Sequence, residues 1–151
     1  MPDPLPVERT YSTQFAECVQ KYTNDIYALS SLLLEQSTEA EKATLRTFAE
    51  LYKMYRRQDD FDLQLFSVQA YRSCIRQCAD SFARHSLLSA KTLPWEELLV
   101  KAMWYGLRLP LPQISMILQK NVPILKAQLR HVREQMTAEV DLPSSANLSI
   151  V

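Results

Sequence analysis

Apolar side chains recur along most of this chain at helical spacing. The first such series steps by three or four residues through Phe15, Val19, Tyr22, Ile26 and Leu29. This period places side chains on one face of an α-helix. Similar series predict helices over residues 15–34, 38–55, 62–85, 94–107, 112–118 and 122–136, and no segment alternates as a strand does. The pattern therefore predicts an all-α fold.

Proline-rich and polar stretches divide these helices into two small domains. Residues 1–10 contain three prolines and are predicted to form a flexible arm, and residues 138–151 a flexible tail. Between them we expect a three-helix domain at 11–85, a linker at 86–93 and a second helical domain at 94–137. Thr38 and Glu41 have the spacing of a capping box, which predicts the start of the second helix.

The composition argues against enzymatic chemistry. Gly106 is the single glycine, whereas phosphate-binding loops, dinucleotide fingerprints and nucleophile elbows need several glycines at fixed spacing. The two histidines, His85 and His131, have no acid–base partners at any recognised spacing. We therefore expect neither an enzyme nor a bound cofactor.

The cysteines and the N-terminus predict a cytoplasmic protein that does not insert into membranes. The chain starts without a basic segment followed by an apolar run, and it has three cysteines. Cys74 and Cys78 lie one helical turn apart, with His85 two turns further on. We favour burial of both thiols in the core over a metal site, because they share a face with apolar residues.

The charge is balanced overall and uneven along the chain. The chain has 17 basic and 17 acidic residues, and a net charge of zero argues at first against nucleic-acid binding. Residues 1–85, however, have a net charge of −2 and residues 86–151 a net charge of +2. Residues 98–133 contain six cations and no acid. Such a run is typical of a surface that binds phosphate.

This basic run contains the proportions of a helix-turn-helix. A short helix after Pro112 is followed by a turn at residues 119–121 and a last helix with an apolar stripe. The cations of that helix lie at steps of four and three residues, away from the stripe. The predicted DNA contacts are Lys120, Ile124, Lys126, Gln128, Arg130 and Arg133, with Ile124 and Gln128 near the base edges.

The order of these parts resembles a bacterial RNA polymerase sigma factor of the two-domain, extracytoplasmic-function kind. The resemblance covers roughly residues 15–136 and is best in the second domain, which is similar to sigma region four. The matching positions there are Leu109, Ile114, Leu118, Val122, Lys126, Leu129 and Arg133. Gln119 occupies the place of the glycine in the family's turn, where a left-handed residue is favoured.

The first domain is similar to sigma region two. The resemblance implies binding to core RNA polymerase through Ala40, Glu41, Phe48, Leu51 and Tyr52. It also implies promoter melting by the third helix, through Tyr71, Arg76, Asp80 and Arg84. The implied partners are core RNA polymerase and promoter DNA, with an anti-sigma or co-sigma protein as a further candidate.

Two other functions stay open on the sequence. In one, the chain is a co-sigma or a regulatory protein that binds another transcription factor and does not recognise promoters independently. In the other, it is a dimeric helix-turn-helix repressor. The second is less favoured, because no coiled-coil seam is visible in the sequence.

Overall fold

The computed structural model confirms the all-α prediction. It describes the backbone of residues 6–56, 62–86 and 93–150, and the side chains of residues 13–56, 62, 64–84 and 93–138. This described part contains helices and no strand. The helices are α1 (Pro6–Leu33), α2 (Ser37–Tyr55), α3 (Leu63–Ser86), α4 (Trp95–Lys101), a π-helix (Ala102–Gly106), α5 (Leu111–Leu118) and α6 (Val122–Ile150). None of these helices has both the length and the hydropathy needed to cross a bilayer.

The chain divides into two compact units, Met1–Thr92 and Leu93–Val151, called unit 1 and unit 2 below. In unit 1, α1, α2 and α3 all pack against one another. Phe66 of α3 is fully buried and contacts the rings of Phe15, Tyr22 and Tyr55, with centroid distances of 5.8, 5.9 and 5.3 Å. Aromatic burial on this scale supplies a large share of the stability of a small core.

Polar contacts join α2 to α3 beside this core. Glu50 of α2 accepts hydrogen bonds at 2.8 Å from the Ser73 hydroxyl and the Gln77 amide, and it forms an ion pair with Arg76. Although burial raises the pKa of Glu50, the hydrogen bonds from Arg76, Ser73 and Gln77 outweigh it and hold that pKa below its ordinary value. The half-buried carboxylate of Glu50 therefore has hydrogen-bonding partners on α3 for its negative charge.

In unit 2, α4 and α5 both pack against α6. The buried side chains include Val100, Met103, Ile114, Leu125 and Val132. The helix predicted at residues 94–107 widens into the π-helix after Lys101, where the Leu107 amide donates to the Ala102 carbonyl at 2.9 Å. Arg108 then takes a left-handed backbone conformation with φ of 57°, which ends this segment.

Several boundaries differ from the sequence predictions. The backbone is helical from Pro6 and up to Ile150, where a flexible arm and tail were predicted. Proline fits the first turn of a helix because the amide it lacks has no intrahelical partner there, so Pro6 can begin α1. The capping-box prediction is wrong: α2 starts one residue earlier, and its N-cap, Gln36, makes no side-chain capping bond. The predicted linker at 86–93 falls largely on residues 87–92, which lie outside the described residues.

Candidate nucleic-acid interface

The turn predicted at residues 119–121 joins α5 to α6 and begins with a left-handed residue. Gln119 ends α5 in the left-handed conformation, with φ of 55° and ψ of 46°. The Gln119 and Lys120 amides both donate to the Ser115 carbonyl, the second at 3.2 Å, and the Ser115 hydroxyl donates to the Lys120 carbonyl. These bonds satisfy polar groups at the end of α5 and fix the direction in which the chain enters α6.

The described part of α6 has a buried face and an exposed cationic row. Leu125, Leu129 and Val132 are buried against the rest of unit 2. Lys126, Arg130 and Arg133 are exposed at the predicted steps of four and three residues, and they are called the cationic row below. None of the side chains described in the structure forms an ion pair with this row. Three uncompensated cations on one helix side favour contact with phosphates.

Lys120 is the exception among the predicted cations. Its ammonium group lies 3.1 Å from a carboxylate oxygen of Glu96 at the start of α4, and its side chain is only 23% exposed. The neighbouring Glu97 pairs with Nδ1 of His131 on α6. The predicted DNA contact Lys120 is thus paired with an acid of α4: residues 98–133 contain no acid, but Glu96 lies next to them in space. The sequence does not indicate these pairings, because Glu96 and Glu97 precede the acid-free run and approach it only through helix packing.

The two residues predicted to lie near base edges, Ile124 and Gln128, differ in their exposure to solvent. Ile124 is 49% exposed in the first turn of α6. Gln128 is half-buried, and its side-chain carbonyl oxygen is enclosed without a hydrogen-bond partner among the described residues. Gln128 faces the buried side because it lies four residues before Val132 on the same helix face. The prediction for Gln128 is thus corrected, whereas Ile124 remains accessible.

The residues implied as polymerase contacts in α2 also divide into two groups. Glu41 is exposed and Tyr52 is 52% exposed, with its ring 5.6 Å from that of Phe15. Ala40 and Leu51 are fully buried and Phe48 is half-buried. Ala40 and Leu51 therefore pack inside unit 1, because they lie on the helix face turned toward α1 and α3, and they are not surface contacts.

Of the four residues implied in promoter melting, Tyr71 is buried, whereas Arg76, Asp80 and Arg84 are exposed. Tyr71 is 2% exposed, and burial, reinforced by the charge of Asp25, raises its pKa well above the ordinary value. Arg76 is bound to Glu50, as described above. Asp80 and Arg84 are exposed, and Arg84 donates to the Ser81 hydroxyl at 3.5 Å. Burial removes Tyr71 from any contact with DNA in the folded unit, which corrects that prediction.

Cys74 and Cys78, for which the sequence favoured burial in the core, are both buried. Cys18, Cys74 and Cys78 are buried as free thiols, and the Cys74 sulfur lies 3.1 Å from the Ser30 hydroxyl. A hydrogen bond with Cys78, followed by burial, raises the pKa of the Cys74 thiol. The side chain of His85, the third residue of the alternative metal site, lies outside the described residues. The interpretation of Cys74 and Cys78 as core residues is confirmed.

Comparison with known proteins adds no relative to this description. No protein-family model matches the chain, and no curated protein gives a significant sequence match. The geometry of the turn and of α6 is therefore the basis for a functional conclusion.

Proposed function

We propose that the chain is a transcription-initiation protein organised like a sigma factor, in which unit 2 binds promoter DNA through α5 and α6. One observation carries the proposal: the left-handed Gln119 turn leads directly into a helix with an exposed cationic row. In a helix-turn-helix, the second helix enters the major groove after a tight turn of this kind. The cations of the row would then contact the phosphates that border the groove.

The DNA-binding part of the proposal is tested by the salt dependence of affinity. The full chain is titrated into a fluorescently labelled duplex of mixed sequence, and anisotropy is followed at several salt concentrations. Substituting alanine for Lys126, Arg130 or Arg133 should weaken binding to all sequences and reduce the salt slope by about one for each cation removed. Lys53→Ala, which removes an exposed cation from α2, is the matched control and should change neither quantity. Absence of DNA binding at low salt would refute this part.

The polymerase part of the proposal concerns unit 1. The exposed Glu41 and Tyr52 on α2 are the implied contacts that remain at the surface. Transcription in vitro with core RNA polymerase and the full chain should yield initiation at a native promoter. Tyr52→Ala should reduce co-elution with core polymerase, whereas Tyr105→Ala, which truncates an exposed tyrosine of unit 2, should not. If the wild-type chain neither binds core nor directs initiation, this part is wrong.

A co-sigma function is the second candidate, and the surface of unit 1 favours it. Leu45 is 72% exposed, and Ala49 and Tyr52 are exposed on the same side of α2, at steps of four and three residues. Such an apolar stripe on a surface helix is typical of a protein-binding face. The burial of Tyr71 and the pairing of Arg76 point the same way, because both lower the support for DNA melting by α3.

Reconstituted transcription distinguishes the two candidates. A co-sigma should be inactive with core polymerase alone and active when a second sigma-like protein is added. Leu45→Asp should abolish that activity because it introduces a charge into the apolar stripe. Leu65→Asp, on an exposed leucine of α3, is the control. Activity with core polymerase alone would exclude the co-sigma function.

A further inference from the structure

Beyond Asn121, the exposed residue that precedes α6, the exposed surface of the first two turns of this helix has one hydrogen-bonding side chain. Four residues of the segment 122–129 are exposed: Pro123, Ile124, Lys126 and Ala127. Three of these are apolar, and only Lys126 can donate a hydrogen bond. Gln128, the one amide in the segment, is half-buried with its carbonyl oxygen enclosed. The beginning of α6 thus presents methyl and methylene groups to its surroundings.

This composition limits what the helix can recognise in a DNA groove. The first residues of the second helix of a helix-turn-helix contact base edges in the major groove. Guanine, adenine and cytosine are distinguished there by hydrogen bonds to Arg, Lys, Asn, Gln, Asp or Glu side chains, whereas thymine also presents an apolar C5-methyl group. An apolar helix start can therefore discriminate thymine by contact, and Lys126 is the one exposed side chain of residues 122–129 that could form a hydrogen bond with another base.

We infer that unit 2 selects its DNA sites through thymine C5-methyl groups, and that Ile124 is the specificity-determining residue. Ile124 is 49% exposed, the most exposed large apolar side chain among the described residues 122–138 of α6. Ala127, one turn further along the same side, adds a smaller methyl contact. This inference rests on the proposed DNA binding by unit 2 and adds to it the chemical group that is recognised. The cationic row supplies affinity, and the contact of Ile124 with thymine supplies sequence preference.

The experiment isolates a single methyl group. The full wild-type chain first selects duplexes from a random pool, and the best duplex is resynthesised with each thymine replaced in turn by deoxyuridine, which lacks only the C5-methyl group. At one position or two adjacent positions, wild-type affinity should fall about fourfold, the factor expected for one buried methyl-sized group. Replacing that thymine by 5-methylcytosine, with guanine opposite, should retain more affinity than replacing it by cytosine.

The Ile124→Ala variant tests whether Ile124 is the residue that contacts this methyl group. Its affinity for the thymine duplex should fall to about that of the wild type for the deoxyuridine duplex, and it should not distinguish the two duplexes. Leu65→Ala, at an exposed leucine of unit 1, should keep the full fourfold discrimination. Equal discrimination by wild type and Ile124→Ala, or selection of sites without a preferred thymine, would overturn the inference and leave the proposed DNA binding intact. Failure of the wild type to bind any duplex at low salt would overturn both.

Discussion

Gln119 and Arg108 are the non-glycine residues of the described chain with a positive φ, and both lie in unit 2. A side chain beyond glycine costs roughly 1–2 kcal/mol in this conformation, because its β-carbon approaches the following carbonyl oxygen. Gln119 is held there by the hydrogen bonds that close α5 on Ser115. The turn into α6 is thus maintained by its surroundings against a local preference.

Gln119→Gly should therefore stabilise unit 2. We expect the free energy of unfolding to rise by about 0.5–1 kcal/mol, since the relief of steric strain exceeds the extra backbone entropy that glycine has in the unfolded state. Chemical denaturation followed by circular dichroism measures the change. Ala127→Gly places the same residue inside α6 and should lower the free energy of unfolding by about 1 kcal/mol. A loss of stability in Gln119→Gly would contradict the assigned backbone conformation.

Glu50 is a second single residue whose contribution to the free energy of unfolding can be measured, through its dependence on pH. Its pKa is lower in the folded chain than in the unfolded chain, so its charge stabilises the fold at neutral pH. This contribution is lost as the pH falls below the ordinary glutamate pKa and through the folded pKa. Glu50→Gln should cost about 1 kcal/mol at neutral pH, since it weakens the contacts with Arg76 and Ser73. The difference from the wild type should shrink in acid.

Urea denaturation at neutral pH and at about pH 4 tests this expectation for Glu50→Gln. Glu41→Gln, which neutralises an exposed charge on the same helix, should stay within about 0.5 kcal/mol of the wild type at both pH values. A difference between Glu50→Gln and the wild type that does not depend on pH would show that the Glu50 charge contributes nothing to stability.

At the scale of elements, the start of α4 sets the charge of the proposed DNA-binding surface. Glu96 and Glu97 lie in the first turn of α4, where the helix dipole favours acids. They also pair with Lys120 in the turn and His131 on α6. The same two acids therefore lie in the first turn of one helix and bind side chains of the turn and of α6. Phosphates must displace the Glu96 carboxylate before they can contact Lys120.

Glu96→Gln should strengthen DNA binding by unit 2. Because it frees Lys120, we expect a severalfold gain in affinity and a salt slope larger by about one. The free energy of unfolding should change little, since exposed ion pairs contribute about 0–1 kcal/mol. The anisotropy titration measures the affinity, and Glu35→Gln, which removes an exposed acid from unit 1, controls for net charge. Equal gains in both variants would show that the pairing with Lys120 does not limit binding.

At the scale of the whole molecule, each unit has its own buried core. Phe66 is fully buried in unit 1 and Leu125 in unit 2. Phe66→Ala should cost about 3–5 kcal/mol and Leu125→Ala about 2–5 kcal/mol, because each leaves a cavity. Hydrogen exchange of the full chain should show faster exchange mainly within the unit that carries the substitution. Uniformly faster exchange in both units from either variant would show that they unfold as one.

The sequence predicted correctly those structural features that depend on a single helix. The three-to-four-residue spacing predicted the helices, and the same spacing placed Cys74 and Cys78 in the core and the cationic row at the surface. The spacing did not indicate the ion pairs of Lys120 and Arg76, because their partners Glu96 and Glu50 lie on other helices, 24 and 26 residues away in the chain. Helical periodicity contains no information about such contacts.

The sequence by itself determined the all-α class, the faces of each helix and the place of the turn at residues 119–121, because these follow from side-chain periodicity and from where it breaks. Only the tertiary structure decided which charges remain free. It paired Lys120 with Glu96 and Arg76 with Glu50, enclosed Tyr71 and the side-chain oxygen of Gln128, and left Ile124 and the cationic row exposed. The reason is physical: burial and ion pairing depend on which helices pack together, and packing joins residues that are distant in the chain.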